Sequence, residues 1–173
     1  MNSNFKKDYL RFTQGKQWRA LPCFLRMVKN YDLTLLWLLR NYQDAHGTWE
    51  RIWKFWLSRY KKTHGVELVC KNIGGGLRLI HPYGITVNSH SRLGENTTLY
   101  KGVTIGIIET GKKAGNPILE NNVTVYANAT ICGNVCIGHD SVIAPNAFVN
   151  FDVPPNSVVI GNPGTIHQKH SEE

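Results

Sequence analysis

The chain is poor in the features that would mark a secreted, membrane-spanning or metal-built protein. Four cysteines in 173 residues are too few for a disulfide framework. Cys132 and Cys136 fall inside a repeat, where cysteine serves as a small filler. A zinc site would need further ligands at short spacing, and none appear, so no metal is expected. The start, MNSNFKKDYLRF, lacks an apolar run with a small-residue cleavage site, so no secretory leader is expected. The longest apolar run, Leu33–Leu39, contains a threonine and falls far short of the ~20 residues that span a bilayer. The expected setting is reduced and cytoplasmic.

Acidic residues are scarce only at one end. Residues 1–65 hold 13 Lys/Arg against 4 Asp/Glu, whereas residues 66–173 hold 7 against 8. All five tryptophans lie in the first segment. The chain therefore divides into a basic, aromatic-rich helical segment (1–65), a near-neutral domain (66–166) and a short tail (167–173).

The second part carries a repeat. Leu119, Val125, Ile131, Ile137, Ile143 and Val149 fall six apart, each followed four residues later by a small or β-branched residue: Val123, Ala129, Val135, Ser141, Ala147 and Val153. No α-helix repeats every six residues, and a half-buried strand repeats every two. A period of six marks a parallel β-helix whose flat sides are single hexapeptides. Three sides close one turn, so a coil takes about eighteen residues. The same phase holds upstream at Val87, Leu93, Leu99 and Ile105.

Two irregularities break the pattern. Between Ile105 and Leu119 lies GIIETGKKAGNP, a glycine-rich loop (106–117) thrown out of the coil. The step from Leu79 to Val87 is eight, and the extra residues surround His81-Pro82-Tyr83-Gly84. Repeat proteins put insertions where function sits. An imidazole, with an ordinary pKa of about 6.5, takes a proton from a hydroxyl near neutral pH. His81 is therefore the candidate general base. His90 and His139 fall at outward positions of regular coils, and His46, His64, His167 and His170 read as surface or loop residues.

In the first segment, apolar spacing predicts a helix from Leu21 to Arg40, with Phe24, Leu25, Val28, Tyr31, Leu35, Leu36 and Leu39 on one face. A second helix is expected from Thr48, as its N-cap, to Lys62, with Trp49, Trp53, Phe55, Trp56 and Tyr60 among basic residues. These helices fit packing against the solenoid or a second subunit, or peripheral contact of residues 1–62 with a membrane surface. A basic charge needs a recognised module beside it to indicate nucleic acid. None is found, so no nucleic-acid partner is expected.

The ordered set GGGLRLIHPYGITVN, LYKGVTIG, the Gly/Lys loop and DVPPNSVVIGNPG resembles the serine acetyltransferase branch of the hexapeptide-repeat acyltransferases, over residues 66–166. The opening YLRFTQGK is similar to a short subgroup associated with surface polysaccharides. The resemblance implies a mainly β fold, a left-handed parallel β-helix preceded by a short α-helical segment, working as a homotrimer that in some cases pairs into hexamers. It implies acetyl-CoA as cosubstrate, His81 as general base and Glu67, one coil earlier, as the acid that orients it. Gly106 and Ala127 would let the pantetheine arm pass, and Lys112 and Lys113 would meet CoA phosphates.

The departures concern the acceptor. Ile80 stands where the family has an aspartate before the histidine. Gly115-Asn116 replaces an Arg-His pair, and Pro163-Gly164-Thr165 replaces Pro-Ala and a basic residue. Two acceptors stay open: L-serine, as in cysteine biosynthesis, and a sugar hydroxyl in surface or capsular polysaccharide biosynthesis. A zinc enzyme on the same fold would need three convergent histidines, and His81, His90 and His139 show no such set. A non-catalytic scaffold is opposed by the intact GVTIG block.

Overall fold

The computed structural model describes residues 2–15 and 30–169. Helix α1 (Ser3–Phe12) was not anticipated from the sequence. It starts because the Asn2 side chain accepts from the Asn4 and Phe5 backbone N–H groups at 2.7 and 3.2 Å, satisfying donors that the first turn leaves open. Helix α2 runs Tyr31–Asp44. The expected start at Leu21, with Phe24, Leu25 and Val28, lies outside the described residues, and the helix continues past Arg40 because Tyr42 is still buried. Helix α3 runs Thr48–His64. Thr48 is its first helical residue rather than its cap, and Gly65, at φ +65°, ends it in the left-handed conformation that glycine adopts without penalty.

The remainder is a three-sided parallel β-helix, left-handed as the hexads indicate. One side stacks β1 (Glu67–Leu68), β3 (Thr86–Val87), β6 (Thr104–Gly106), β9 (Thr130–Cys132) and β12 (Phe148–Val149). A second stacks β4 (Arg92–Leu93), β7 (Ile118–Leu119) and β10 (Cys136–Ile137). The third stacks β2 (Arg78–Ile80), β5 (Thr98–Tyr100), β8 (Thr124–Val125), β11 (Val142–Ile143) and β13 (Ser157–Ile160). An antiparallel strand β14 (Thr165–Gln168) closes that side. Thr86 pairs with Thr104, and Thr130 with Phe148, eighteen residues on in each case. Every residue of both hexad series, from Val87 and Ser91 to Val149 and Val153, is buried.

The corners explain the asparagines. Asn96, Asn122, Asn128, Asp140 and Asn146 all have φ between 58 and 61°, a conformation that asparagine and aspartate tolerate better than most residues. Their side chains also form a ladder, Asn96 to Asn122 at 3.2 Å and Asn122 to Asp140 at 3.0 Å.

The helices are locked to the first coil by a buried ion pair. Arg40 meets Asp8 through Nε at 2.7 Å and Nη2 at 2.9 Å, and donates to the Ile73 and Gly74 carbonyls at 2.6 Å. Asp8 also accepts from the Leu77 N–H at 2.9 Å. Burial pushes the Asp8 carboxyl up, and Arg40 acts against that shift. The triple glycine permits the close approach: a Cβ on Gly74 would lie 2.6 Å from the Glu95 nitrogen, and one on Gly75 would lie 2.6 Å from the Lys7 side chain.

Candidate functional site

Register isolates one corner of the first coil. Ile80 pairs with Tyr100, and Tyr83, Lys101 and Ala127 stack through backbone bonds of 2.8–3.0 Å, Gly102 N–H to Tyr83, Asn128 N–H to Lys101 and Asn146 N–H to Ala127. In the second coil Lys101 follows Tyr100 directly. In the first coil His81 and Pro82 intervene before Tyr83, so these two residues have no counterpart above. They are the physical form of the eight-residue step. His81 is exposed and sits at φ +50°, a left-handed conformation that costs about 1–2 kcal/mol outside glycine and the few residues that tolerate it. Its carbonyl accepts from Tyr83 N–H at 2.7 Å.

The helices hold this corner in place. The end of α3 accepts from it, Gly84 N–H to the His64 carbonyl at 3.3 Å. The start of α2 donates to it, the Tyr31 hydroxyl to the Pro82 carbonyl at 3.4 Å. The Tyr31 ring stacks on His64 with centroids 4.7 Å apart, and Tyr83 tilts against both at 5.9 and 6.0 Å.

Asp32 follows in the first turn of α2. Its Oδ1 is buried without a hydrogen-bond partner. Burial raises its carboxyl above the ordinary range, while the Tyr31 hydroxyl and the His81 and His64 imidazoles act against the rise. Burial, and then the Asp32 charge, also raise the Tyr31 phenol. Such a carboxylate has an open demand for a donor or a cation. Sequence reading passed over Asp32, although it is one of only 4 acids in a segment of 13 basic residues.

The other expected residues divide between two corners. Glu67 enters the His81 corner through its backbone, its N–H donating to Ile85 at 2.7 Å. The residue borders a cavity of about 200 Å³ under α3 with Lys54, Leu57 and Ser58. Ala127 stands in the Tyr83 column. Gly106, Lys112 and Lys113 lie at the opposite end of the β3–β6–β9 side. The loop there is a hairpin closed by Ile108 and Gly115 at 3.1 and 2.9 Å and seated on the coil above by Asn134 N–H to Lys113 at 2.9 Å. Lys112 and Lys113 are exposed and have no ion-pair partner among the described residues. A Cβ on Gly106 would meet only Thr104 at 3.8 Å, which leaves open space beside the strand end. Asn116 Oδ1 is buried and unpartnered. Among the described residues no group of His, Cys, Asp and Glu could hold a metal ion.

Residues 116–150 match the bacterial transferase hexapeptide (six repeats) family model. The chain is 31% identical to a serine acetyltransferase of Staphylococcus xylosus over 149 residues, covering 77% of this chain and 68% of that protein. It is 39% identical to a serine acetyltransferase of Helicobacter pylori over 92 residues, 52% of this chain and 53% of that protein, so it spans about half of the latter's length. Among solved structures, a serine acetyltransferase of Neisseria gonorrhoeae in complex with serine superposes with TM-score 0.74 at 25% identity, covering 95% of this chain and 67% of that one.

Proposed function

The chain belongs to the serine acetyltransferase family, and we propose that it transfers acetyl from acetyl-CoA to the hydroxyl of L-serine. The observation that carries this reading is Asp32: a buried carboxylate oxygen with no partner, beside the histidine on the inserted corner. The ammonium of an amino acid supplies the cation it lacks, and charge-assisted bonds of this kind are the strong ones. His81 takes the serine hydroxyl proton as the oxygen attacks the thioester carbonyl. The tetrahedral intermediate then collapses, the carbon–sulfur bond breaks, and the imidazolium returns the proton to the leaving thiolate. A thioester is already activated, so the protein need supply only proximity and a proton acceptor. Glu67, below the same corner, is assigned to orient the imidazole.

Acetyl-CoA is assigned to the opposite corner. The open space at Gly106 and the two unpaired lysines of the hairpin suit a pantetheine arm and phosphates, with Ala127 as the small residue on the His81 side. The two corners lie at opposite ends of one side of the same chain. A second copy must bring its own corner across to complete a site, which supports a homotrimer. Free thiols at Cys70, Cys132 and Cys136 suit the cytoplasm, where acetyl-CoA is available.

One observation favours a second acceptor. Ile80, Tyr100 and Tyr126 form a column beside His81, with Tyr100 and Tyr126 stacked at 4.6 Å. Gly115 offers no guanidinium for a substrate carboxylate. A sugar ring of a surface polysaccharide precursor suits such a face. CoA release from acetyl-CoA decides between the readings. L-Serine should support it and N-acetyl-L-serine, which lacks the ammonium, should not. A rate with sugars alone would give the acceptor to the second reading.

A further inference from the structure

We propose that the outer face of α3 rests on an anionic lipid bilayer surface. The helix divides its apolar residues between two faces. Leu57 is buried, and Trp53 packs edge-on against Trp37 of α2 at 5.3 Å between centroids. Trp49, Ile52, Phe55 and Trp56 point away from the core, with Trp49 65% and Phe55 58% exposed. At helical spacing these four form one stripe along the free side. Large apolar side chains in a contiguous exposed patch mark a contact surface.

The charge around the stripe selects the occupant. Arg51, Arg59 and Lys62 are all exposed on the same helix. The one acid on α3, Glu50, is already tied to Lys71 at 3.0 Å. A second copy docking through this face would set like charges against one another, which is unfavourable. An anionic headgroup layer is complementary to it. An in-plane helix with tryptophan and phenylalanine toward the acyl boundary and basic residues toward the headgroups meets the requirements for interfacial binding. Among the described residues no helix is long and apolar enough to cross a membrane, so contact would be peripheral. This placement does not depend on which hydroxyl is acetylated.

The test is co-sedimentation of the full chain with vesicles of phosphatidylcholine alone or with about 30 mol% phosphatidylglycerol. The wild type should bind the anionic vesicles at least about tenfold more tightly than the neutral ones. A Trp49→Ala/Trp56→Ala variant should lose at least about tenfold of that affinity. An Arg51→Glu/Arg59→Glu variant should stay in the supernatant. Both variants should keep the wild-type CoA release without vesicles, which separates loss of this surface from loss of acetyl transfer and from misfolding. Wild-type protein left in the supernatant with anionic vesicles would overturn the proposal. So would a wild-type assembly in solution that halves in mass in the tryptophan variant, since that would give the face to a second copy.

Discussion

The same corner of the β-helix is built in two ways. In the upper coils a single residue, Lys101 or Ala127, leads to a left-handed Gly102 or Asn128, and the corner is closed, regular and chemically quiet. In the first coil two residues more are present, a second left-handed position, on His81, precedes the regular one at Gly84, and Tyr31, Asp32 and His64 of the helical segment lie around it. The upper corners get their geometry from repetition, since each coil templates the next. The first corner has no coil below its inserted residues and gets its geometry from α2 and α3 instead. The reactivity proposed for this chain is assigned to the corner where templating stops and the helices take over.

Breaking the special corner should give the largest effect. His81→Ala should lower turnover by at least about 10²-fold, the usual worth of a general base, with circular dichroism and assembly unchanged. Next comes the lock that carries the helices. Arg40→Met strands the Asp8 charge and should cost about 3–5 kcal/mol, read as a lower urea midpoint at unchanged slope.

Asp32 sharpens the comparison, because it is proposed to bind substrate rather than to serve packing. Asp32→Asn should raise the KM for L-serine about tenfold or more, the worth of a hydrogen bond between charged groups, with a smaller effect on kcat. The variant should also be more stable than the wild type at neutral pH. The folded-state pKa of Asp32 is raised by burial, so folding favours its protonated form. That contribution is fully present below the unfolded pKa and is lost as pH rises through the raised one. The Tm gap between variant and wild type should therefore widen with pH across that window and vanish in acid. The smallest effect belongs to a quiet corner. Asn128→Ala, at φ 60°, should cost about 1 kcal/mol, whereas Asn128→Gly should be close to neutral, both measured by thermal unfolding.

The solenoid was legible in the sequence because its core repeats locally: Leu119 through Val153 is a pattern that any one coil displays. His81 was legible as a break in that pattern. What escaped depends on contacts distant in sequence. Asp32 comes within electrostatic reach of His81 only because α2 docks on the first coil, and no spacing rule links the two. Helix α1 escaped because it is short and buries little beyond Phe5, Asp8 and Tyr9. The division of Gly106 and Lys113 from His81 between opposite corners needs strand register, which a one-dimensional repeat does not supply. His167, expected as a surface or loop residue, is exposed but lies in β14, since the last hairpin is antiparallel and follows no hexad.

The most direct measurement is serine-dependent CoA release by the wild type and by His81→Ala, in preparations matched for assembly and acetyl-CoA binding. A wild-type rate that rises with L-serine and falls at least about 10²-fold in the variant is the expected result. An equal rate in the two proteins would remove the inserted corner from the chemistry. A wild type that binds acetyl-CoA but shows no serine-dependent rate would contradict L-serine as the acceptor.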